Sequence, residues 1–282
     1  LPQEIWLHIF RLSTSTSEKQ SAAVTEYQPF RPIESALTGS WWIQKEIFDA
    51  KRTIVLVCKA WRILAMEILY EEIRIRHSTQ GLLAGLERSS KELGVDGYAR
   101  WVRRIIIDPV ILDFDVFNPI GVALVLARCT SVETIIRPIT QSANPPLCRV
   151  RSDFPTLPTV KRVDWWLASA GPNRHKNLWS SDFLSHVLEN APDLRYLTIS
   201  GNRMTQMFTS NFDLHDYPSH TLNLPSLTTL HLDCDSQDPV FAGTTLECPN
   251  LNCLVMGAPL SVCLPLLNAC GARLRIVEIS RR

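Results

Sequence analysis

A short motif recurs along the second half of the chain and constrains its fold more than any other feature. The motif reads Pro-x-Leu-x-x-Leu-x-apolar and occurs at residues 192–199, 225–232 and 249–256. Looser copies keep an apolar residue three positions after the leading one and, except in the second copy, another five positions after it; they are Val102/Ile105/Ile107, Val132/Ile135, Val160/Val163/Trp165 and Leu274/Val277/Ile279. Successive leading residues lie 30, 28, 34, 33, 24 and 23 positions apart, a spacing typical of stacked repeats.

Each copy predicts a short strand whose later apolar residues point to one face. One such strand cannot bury this face alone, whereas parallel stacking pairs the backbones and joins the faces into one core. Helical patterns separate the strands, at Leu82/Leu83/Leu86, Ile120/Leu124/Ala127 and Phe183/Leu184/Val187/Leu188. The sequence therefore predicts an α/β fold with a parallel sheet, built as an irregular βα solenoid over residues 76–282. A doubly wound, Rossmann-like sheet is the structural alternative, but no glycine-rich phosphate loop supports it.

The segment Thr53–Ile75 predicts a helix that leads directly into a strand. Apolar residues at intervals of four and three place a stripe along this helix: Ile54, Cys58, Trp61, Ala65 and Ile68. The first residues predict another helix, because Pro2 suits a first turn and Glu4 complements the helix dipole there. The stripe is wide enough to pack within its own domain and still leave apolar surface for a partner.

Together these two segments resemble the F-box, in the form found in fungal F-box proteins. The matching residues are Leu1, Pro2, Glu4, Ile5, Ile9, Phe10, Leu56, Val57, Cys58, Lys59 and Trp61. The resemblance covers residues 1–75, a small helical module, with an inserted loop at about 13–45 that a compact F-box lacks. The part from 76 to 282 resembles the divergent leucine-rich repeats often found behind an F-box, without their regular asparagine or cysteine ladder.

The resemblance implies a substrate-receptor subunit of an SCF-type ubiquitin ligase. The N-terminal module would bind a Skp-type adaptor, and through it a cullin, by the matching residues given above. A target protein would bind exposed residues of the repeat strands, where we predict Arg195, Tyr196 and His231 as contacts, because arginine and aromatic residues are enriched in binding hot spots. Such a chain is not an enzyme and needs no cofactor.

Composition limits the other classes of partner. The 29 basic and 28 acidic residues nearly cancel, so no global field attracts nucleic acid or an anionic membrane. Residues 253–272 carry no charge but are interrupted by proline and glycine, which argues against a membrane span. Eight scattered cysteines suit a reducing compartment and predict a cytoplasmic or nuclear location. We also expect a fragment truncated at its C-terminus, because the chain lacks an initiator methionine and ends just after a strand motif.

Two other functions stay open at this point. One is a repeat scaffold that binds a partner without an adaptor, in which case the first ten residues only cap the solenoid. The other is a metal-dependent or hydrolytic enzyme. Its candidate residues are Asp213, His215, Asp216, His220, Asp233, Asp235, Cys248 and Cys253. No zinc knuckle, nucleophile elbow or phosphate loop accompanies them, so we expect no catalytic or metal site.

Overall fold

The computed structural model describes residues 2–14, 41–75, 79–107, 119–138, 154–167, 178–201, 220–233, 244–257 and 260–279. The N-terminal helices in these ranges are α1 (Gln3–Thr14), α2 (Trp41–Val57) and α3 (Lys59–Tyr70). The later helices are α4 (Gln80–Leu93), α5 (Pro119–Arg128), α6 (Leu178–Glu189) and α7 (Leu260–Cys270), with 3-10 turns at Gly97–Trp101 and Gly271–Arg273. The strands are β1 (Glu72–Ile75), β2 (Arg104–Ile107), β3 (Thr134–Arg137), β4 (Arg162–Leu167), β5 (Tyr196–Gly201), β6 (His220–Asn223), β7 (Thr229–Asp233), β8 (Thr244–Glu247), β9 (Cys253–Met256) and β10 (Ile276–Ile279).

Eight of the described strands form one parallel sheet in the order β1-β2-β3-β4-β5-β7-β9-β10, while β6 and β8 pair in a separate parallel sheet. The strand order follows the chain and never reverses, so this sheet has no topological switch point of the doubly wound kind. The predicted α/β class with a parallel sheet is confirmed. None of the described helices is long and apolar enough to cross a membrane.

The same backbone contact ties each strand of the large sheet to its predecessor. At the entry to a strand, two consecutive N–H groups donate to one carbonyl oxygen of the preceding unit, at N···O distances of 2.8 to 3.1 Å. Arg195 and Tyr196, for example, both donate to Lys161, and Thr228 and Thr229 both donate to Arg195. The contact occurs at all seven steps between β1 and β10, and it fixes the register of every neighbouring pair.

This register lines up the repeat residues found in the sequence. The residues three positions after each leading residue fall in one column: Ile105, Ile135, Val163, Leu197, Leu230, Leu254 and Val277. All of them are fully buried except Val277, which lies in the last strand, β10. These residues therefore lie in register on neighbouring strands of the sheet. The column also extends to Ile73 of β1, so the sheet begins within the segment assigned above to the N-terminal module.

Helices α4, α5 and α6 supply side chains to the core on one face of the large sheet, and Leu222 of β6 and Leu246 of β8 join the same core. The three helical patterns read from the sequence are confirmed as helices. For α5 the pattern did not identify the buried side, because Ile120 and Leu124 are exposed while Val125 faces the core. This helix is apolar on nearly all sides, so periodicity could not select its inner face.

Residues 53–70 form two helices instead of the single helix that we predicted. α2 ends at Val57, and Cys58 has an extended backbone, with φ −158° and ψ 168°, before α3 begins. The predicted insertion at about 13–45 is helical at both ends, since α1 includes Thr14 and α2 starts at Trp41. Residues 15–40 lie outside the described ranges.

One residue, Glu71, separates α3 from β1. Tyr70 stacks on Tyr98 at 4.5 Å between ring centroids, and Tyr98 stacks on Trp101 at 5.5 Å. The Glu71 carbonyl also accepts the paired N–H groups at the entry to β2. The N-terminal helices are therefore joined to the sheet by the chain itself, by backbone hydrogen bonds and by stacked rings.

We expect Leu230→Ala to lower the free energy of unfolding by about 2–5 kcal/mol, because it opens a cavity in the middle of the buried column. Leu264→Ala on α7 is the matched control. About half of the Leu264 side chain is exposed, so its truncation should change stability by less than about 0.5 kcal/mol. Chemical denaturation followed by circular dichroism measures both variants. Equal losses would contradict the role of the column as the core.

Candidate docking surface

Three aromatic rings form the centre of the N-terminal helices. Trp61 of α3 lies 4.8 Å from Trp6 and 4.9 Å from Phe10, measured between ring centroids. Phe10 is only 2 % exposed and belongs to a small core with Ala65 and Ile68. This core is filled by residues of α1 and α3 together with partly buried residues of α2. Apolar side chains on the outer sides of these helices are therefore not needed to hold them together.

Cys58 turns the chain between α2 and α3. Its sulfur accepts a hydrogen bond from the backbone N–H of Trp61 at 3.4 Å, and so caps the first turn of α3. Serine, threonine or aspartate usually fills this role, because an N-terminal turn leaves its N–H groups without helical partners. Cys58 itself is exposed. The cap thus helps to place the Trp61 ring in the core and leaves a thiol at the surface.

An apolar stripe runs along the outer side of α1. Ile5, Ile9 and Leu12 follow one another at intervals of four and three residues, and all are exposed. Phe10 faces the opposite way, into the helical core. An outward stripe of large apolar residues is typical of a surface that binds a partner.

The turn between α2 and α3 exposes a second apolar group. Leu56 is 73 % exposed and Ile63 is 75 % exposed, and Val57 is exposed as well. Lys59 adds an exposed cation beside them. We use the name docking surface for the exposed apolar residues of the two groups collectively; they are Ile5, Ile9 and Leu12 on α1, and Leu56, Val57 and Ile63 at the end of α2 and on α3.

Most residues predicted to bind an adaptor lie on the outside of these helices. The exposed ones are Pro2, Glu4, Ile5, Ile9, Leu56, Val57, Cys58 and Lys59. Phe10 and Trp61 instead belong to the helical core, where they hold the surface in shape. Leu1 lies outside the described residues.

Sequence reasoning missed Leu12 and Ile63. The signal for Leu12 is present, because it continues the spacing of Ile5 and Ile9 by one turn. Ile63 lies two residues after Trp61, roughly on the opposite side of α3, and no pattern in the sequence separates one exposed isoleucine from a core residue.

The predicted target contacts belong to the large sheet, and two of them are buried. Arg195 is exposed at the entry to β5. Tyr196 and His231 are each 4 % exposed, which corrects the expectation that both are accessible. Strand alternation places them, as predicted, on the face opposite the core. Alternation assigns a face to a side chain but does not reveal what lies above that face.

Contacts between neighbouring strands account for part of this burial. The guanidinium of Arg162 lies 4.4 Å from the centre of the Tyr196 ring, and its Nε donates to Asp164 at 2.7 Å. Burial raises the pKa of Tyr196 to about 12, although Arg162 acts in the opposite direction. The phenol therefore stays neutral at physiological pH in a layer with little access to water.

The candidate enzyme residues do not form a site in the part of the chain that the structure describes. Asp233 and Cys248 are buried there, Cys248 within the core, whereas Cys253 lies on the opposite sheet face. His220 begins β6. Asp213, His215, Asp216 and Asp235 lie outside the described residues. Among the residues described, no group of three or more His, Cys, Asp or Glu could hold a metal ion.

No protein-family model matches the chain, and no curated protein matches it either. What the chain binds is therefore inferred from its own residues and their arrangement. Packing does not explain why the docking-surface residues are apolar, because they belong neither to the core of the sheet nor to the core of the N-terminal helices. A binding role explains their exposure better than folding does.

Two isoleucines of α3 allow the helical core and the docking surface to be tested separately. We expect Ile68→Ala to lower the free energy of unfolding by about 2–5 kcal/mol, because Ile68 is buried against Phe10. Ile63→Ala, the same change five residues earlier on the same helix, should cost less than about 0.5 kcal/mol. Denaturant titration followed by tryptophan fluorescence reports on both variants. A large loss for Ile63→Ala would show that this residue supports the fold and is not part of a docking surface.

Proposed function

We propose that this chain is a substrate-receptor subunit of an SCF-type ubiquitin ligase. In this proposal the docking surface binds a Skp-type adaptor, which links the chain to a cullin, and the repeat region receives a target protein. The observation that carries the proposal is the docking surface, where large apolar side chains are exposed on helices whose core is already filled. Several of its residues are those through which the sequence resembles the F-box, namely Ile5, Ile9, Leu56 and Val57.

The exposed apolar side chains of the docking surface are available to stabilise an association. Burial of one such side chain contributes roughly 1.5–3 kcal/mol, and a few central residues usually dominate an interface. Leu56 and Ile63 are each about three quarters exposed, so most of that free energy is still available for binding. A partner with an apolar groove that accepts side chains from helices fits this surface.

The sheet supports the second half of the proposal. Its strands stack in chain order, the shared-carbonyl contact recurs at every step, and the repeat residues form columns. These are properties expected of an irregular leucine-rich-repeat-like solenoid behind an F-box-like helical module. Among the described residues, the element between β5 and β7 is the strand β6 and the element between β7 and β9 is the strand β8, which agrees with irregular repeats.

A receptor of this kind acts by proximity. The target and the ubiquitin-conjugating enzyme are held on one assembly, which raises the effective concentration of the acceptor lysine. No residue of this chain has to take part in the chemistry. Arg195 is the predicted target contact that is exposed, so it is retained in the proposal. A cytoplasmic or nuclear location stays a prediction.

An adaptor-independent scaffold is the second candidate, and one observation favours it. β1 pairs with β2, and Tyr70 stacks on Tyr98, so the N-terminal helices are continuous with the sheet. A terminal cap of a solenoid makes contacts of this kind, because it covers the apolar end of the stack. A cap, however, does not need an exposed apolar stripe on its outer side.

A binding measurement separates the two candidates. We expect a purified Skp-type adaptor to bind the intact chain, and the variant Leu56→Ala/Ile63→Ala to bind about a hundredfold more weakly, because two anchors are truncated. Leu264→Ala, an exposed leucine on α7, is the matched control and should bind like the intact chain. Circular dichroism verifies that every variant is folded. No binding by the intact chain would overturn the adaptor proposal and favour the scaffold.

Cys58 provides a second readout in the same complex. Bound adaptor should slow the alkylation of Cys58 by iodoacetamide, because this exposed thiol lies between Val57 and Lys59. Cys129 is the internal control: it is buried, and burial raises its pKa to about 12, so it should react slowly with or without adaptor. Mass spectrometry of the peptides gives both rates. Binding without protection of Cys58 would place the adaptor on another surface.

A further inference from the structure

The last strand of the large sheet leaves apolar side chains exposed. Val277 of β10 is 48 % exposed, whereas the residues aligned with it on β2, β3, β4, β5, β7 and β9 are fully buried. Ile276 and Ile279 are exposed as well. Among the described strands, β10 has a neighbour on one side only, namely β9. A repeat that closes a stack normally has a polar outer side, so the apolar side of β10 suits a further strand.

The backbone contact that joins the strands defines where a further strand would pair. The carbonyl of Asn252, the residue before β9, accepts the N–H groups of Arg275 and Ile276 at 2.8 and 3.1 Å. Arg275 holds the same place before β10. An edge strand presents its N–H and C=O groups for pairing with another chain. A parallel strand whose first two N–H groups donate to the Arg275 carbonyl would continue the pattern of the sheet.

The side chain of Glu278 indicates what the added strand carries. Its neighbour in register on β9 is Val255, which is apolar and buried. Glu278 is half-buried, and its Oε2 atom is buried without a hydrogen-bond partner among the described residues. A buried acceptor without a partner is costly, and opposite charges at neighbouring strand positions stabilise pairing. An arginine or lysine beside Glu278 on the added strand would supply both the donor and the charge.

We infer that β10 binds an extended segment of a partner protein, which pairs with it in parallel and carries a basic residue between two apolar residues. The apolar residues of the segment lie beside Val277 and Ile279, and the basic residue lies beside Glu278. In this mode of recognition main-chain hydrogen bonds give affinity, and alternate side chains give specificity. The site is separate from the docking surface and does not depend on the binding of an adaptor.

A second copy of the chain suits this edge less well than a different protein. Parallel addition of a copy would join its β1 to β10, because these strands are the two ends of the sheet. Repeated head-to-tail addition of this kind gives open filaments. Antiparallel pairing of two β10 strands would bring two Glu278 side chains near each other, and like charges on neighbouring strands repel.

Fluorescence anisotropy of a labelled peptide, titrated with the full chain, tests the site. The peptide copies residues 225–232 with the substitution His231→Arg, because this segment makes the shared-carbonyl contact and has leucines on both sides of position 231. We expect it to bind, and the matched peptide with His231→Glu to bind about tenfold more weakly, through repulsion by Glu278. No binding of the arginine peptide, or equal binding of the two peptides, would overturn the inference.

Charge reversal in the chain then locates the binding. Glu278→Lys should reverse the preference, so that the glutamate peptide binds about tenfold more tightly than the arginine peptide. Glu92→Lys, at an exposed position near the end of α4, is the matched control and should keep the preference of the intact chain. An unchanged preference in folded Glu278→Lys would overturn the inference. Sedimentation velocity of the chain alone should show a monomer, and oligomers that Glu278→Lys abolishes would assign the edge to a second copy instead.

Discussion

The carbonyl that accepts two N–H groups at each strand entry is the contact on which the rest of the structure depends. It recurs between all neighbouring strands of the large sheet, although the loops between them differ in length. A strand shifted by one residue would lose this contact and would also turn its apolar residues to the wrong face. The buried column from Ile73 to Leu254 therefore follows from a single backbone arrangement repeated along the chain.

The spacing of leucines was sufficient to predict the parallel sheet, because strand alternation and stacking leave few other solutions. Breaks between helices and the burial of individual side chains were harder to predict from the sequence. Cys58 ends one helix and caps the next without proline or glycine, so its apolar character concealed the turn. Tyr196 and His231 were assigned to the correct sheet face, but alternation along a strand does not predict how far a side chain on that face is buried. For the docking surface, the motif located four of the six residues and missed Leu12 and Ile63; only the packing of α3 reveals the exposure of Ile63.

The two faces of the sheet bury charge in different ways. On the core face, Arg137 occupies the position where the other repeats have an apolar residue, and its guanidinium lies 5.3 Å from the centre of the Trp165 ring. Burial lowers the pKa of Arg137 to about 10, which still leaves it charged at neutral pH. On the opposite face, Arg162 is neutralised by Asp164. Buried ions are costly, so a sheet that retains several of them sacrifices stability, and specific recognition is one reason for doing so.

The direct connection from α3 through Glu71 into β1 fixes the position of the N-terminal helices relative to the large sheet. A flexible tether would let molecules bound at its two ends sample many separations, with a mean set by tether length. Here the connection is one residue long and is flanked by stacked rings and paired strands, so it offers almost no such freedom. The N-terminal helices are therefore held rigidly against the sheet. The distance between a molecule bound to the helices and a molecule bound to the strands is set by the dimensions of the protein itself.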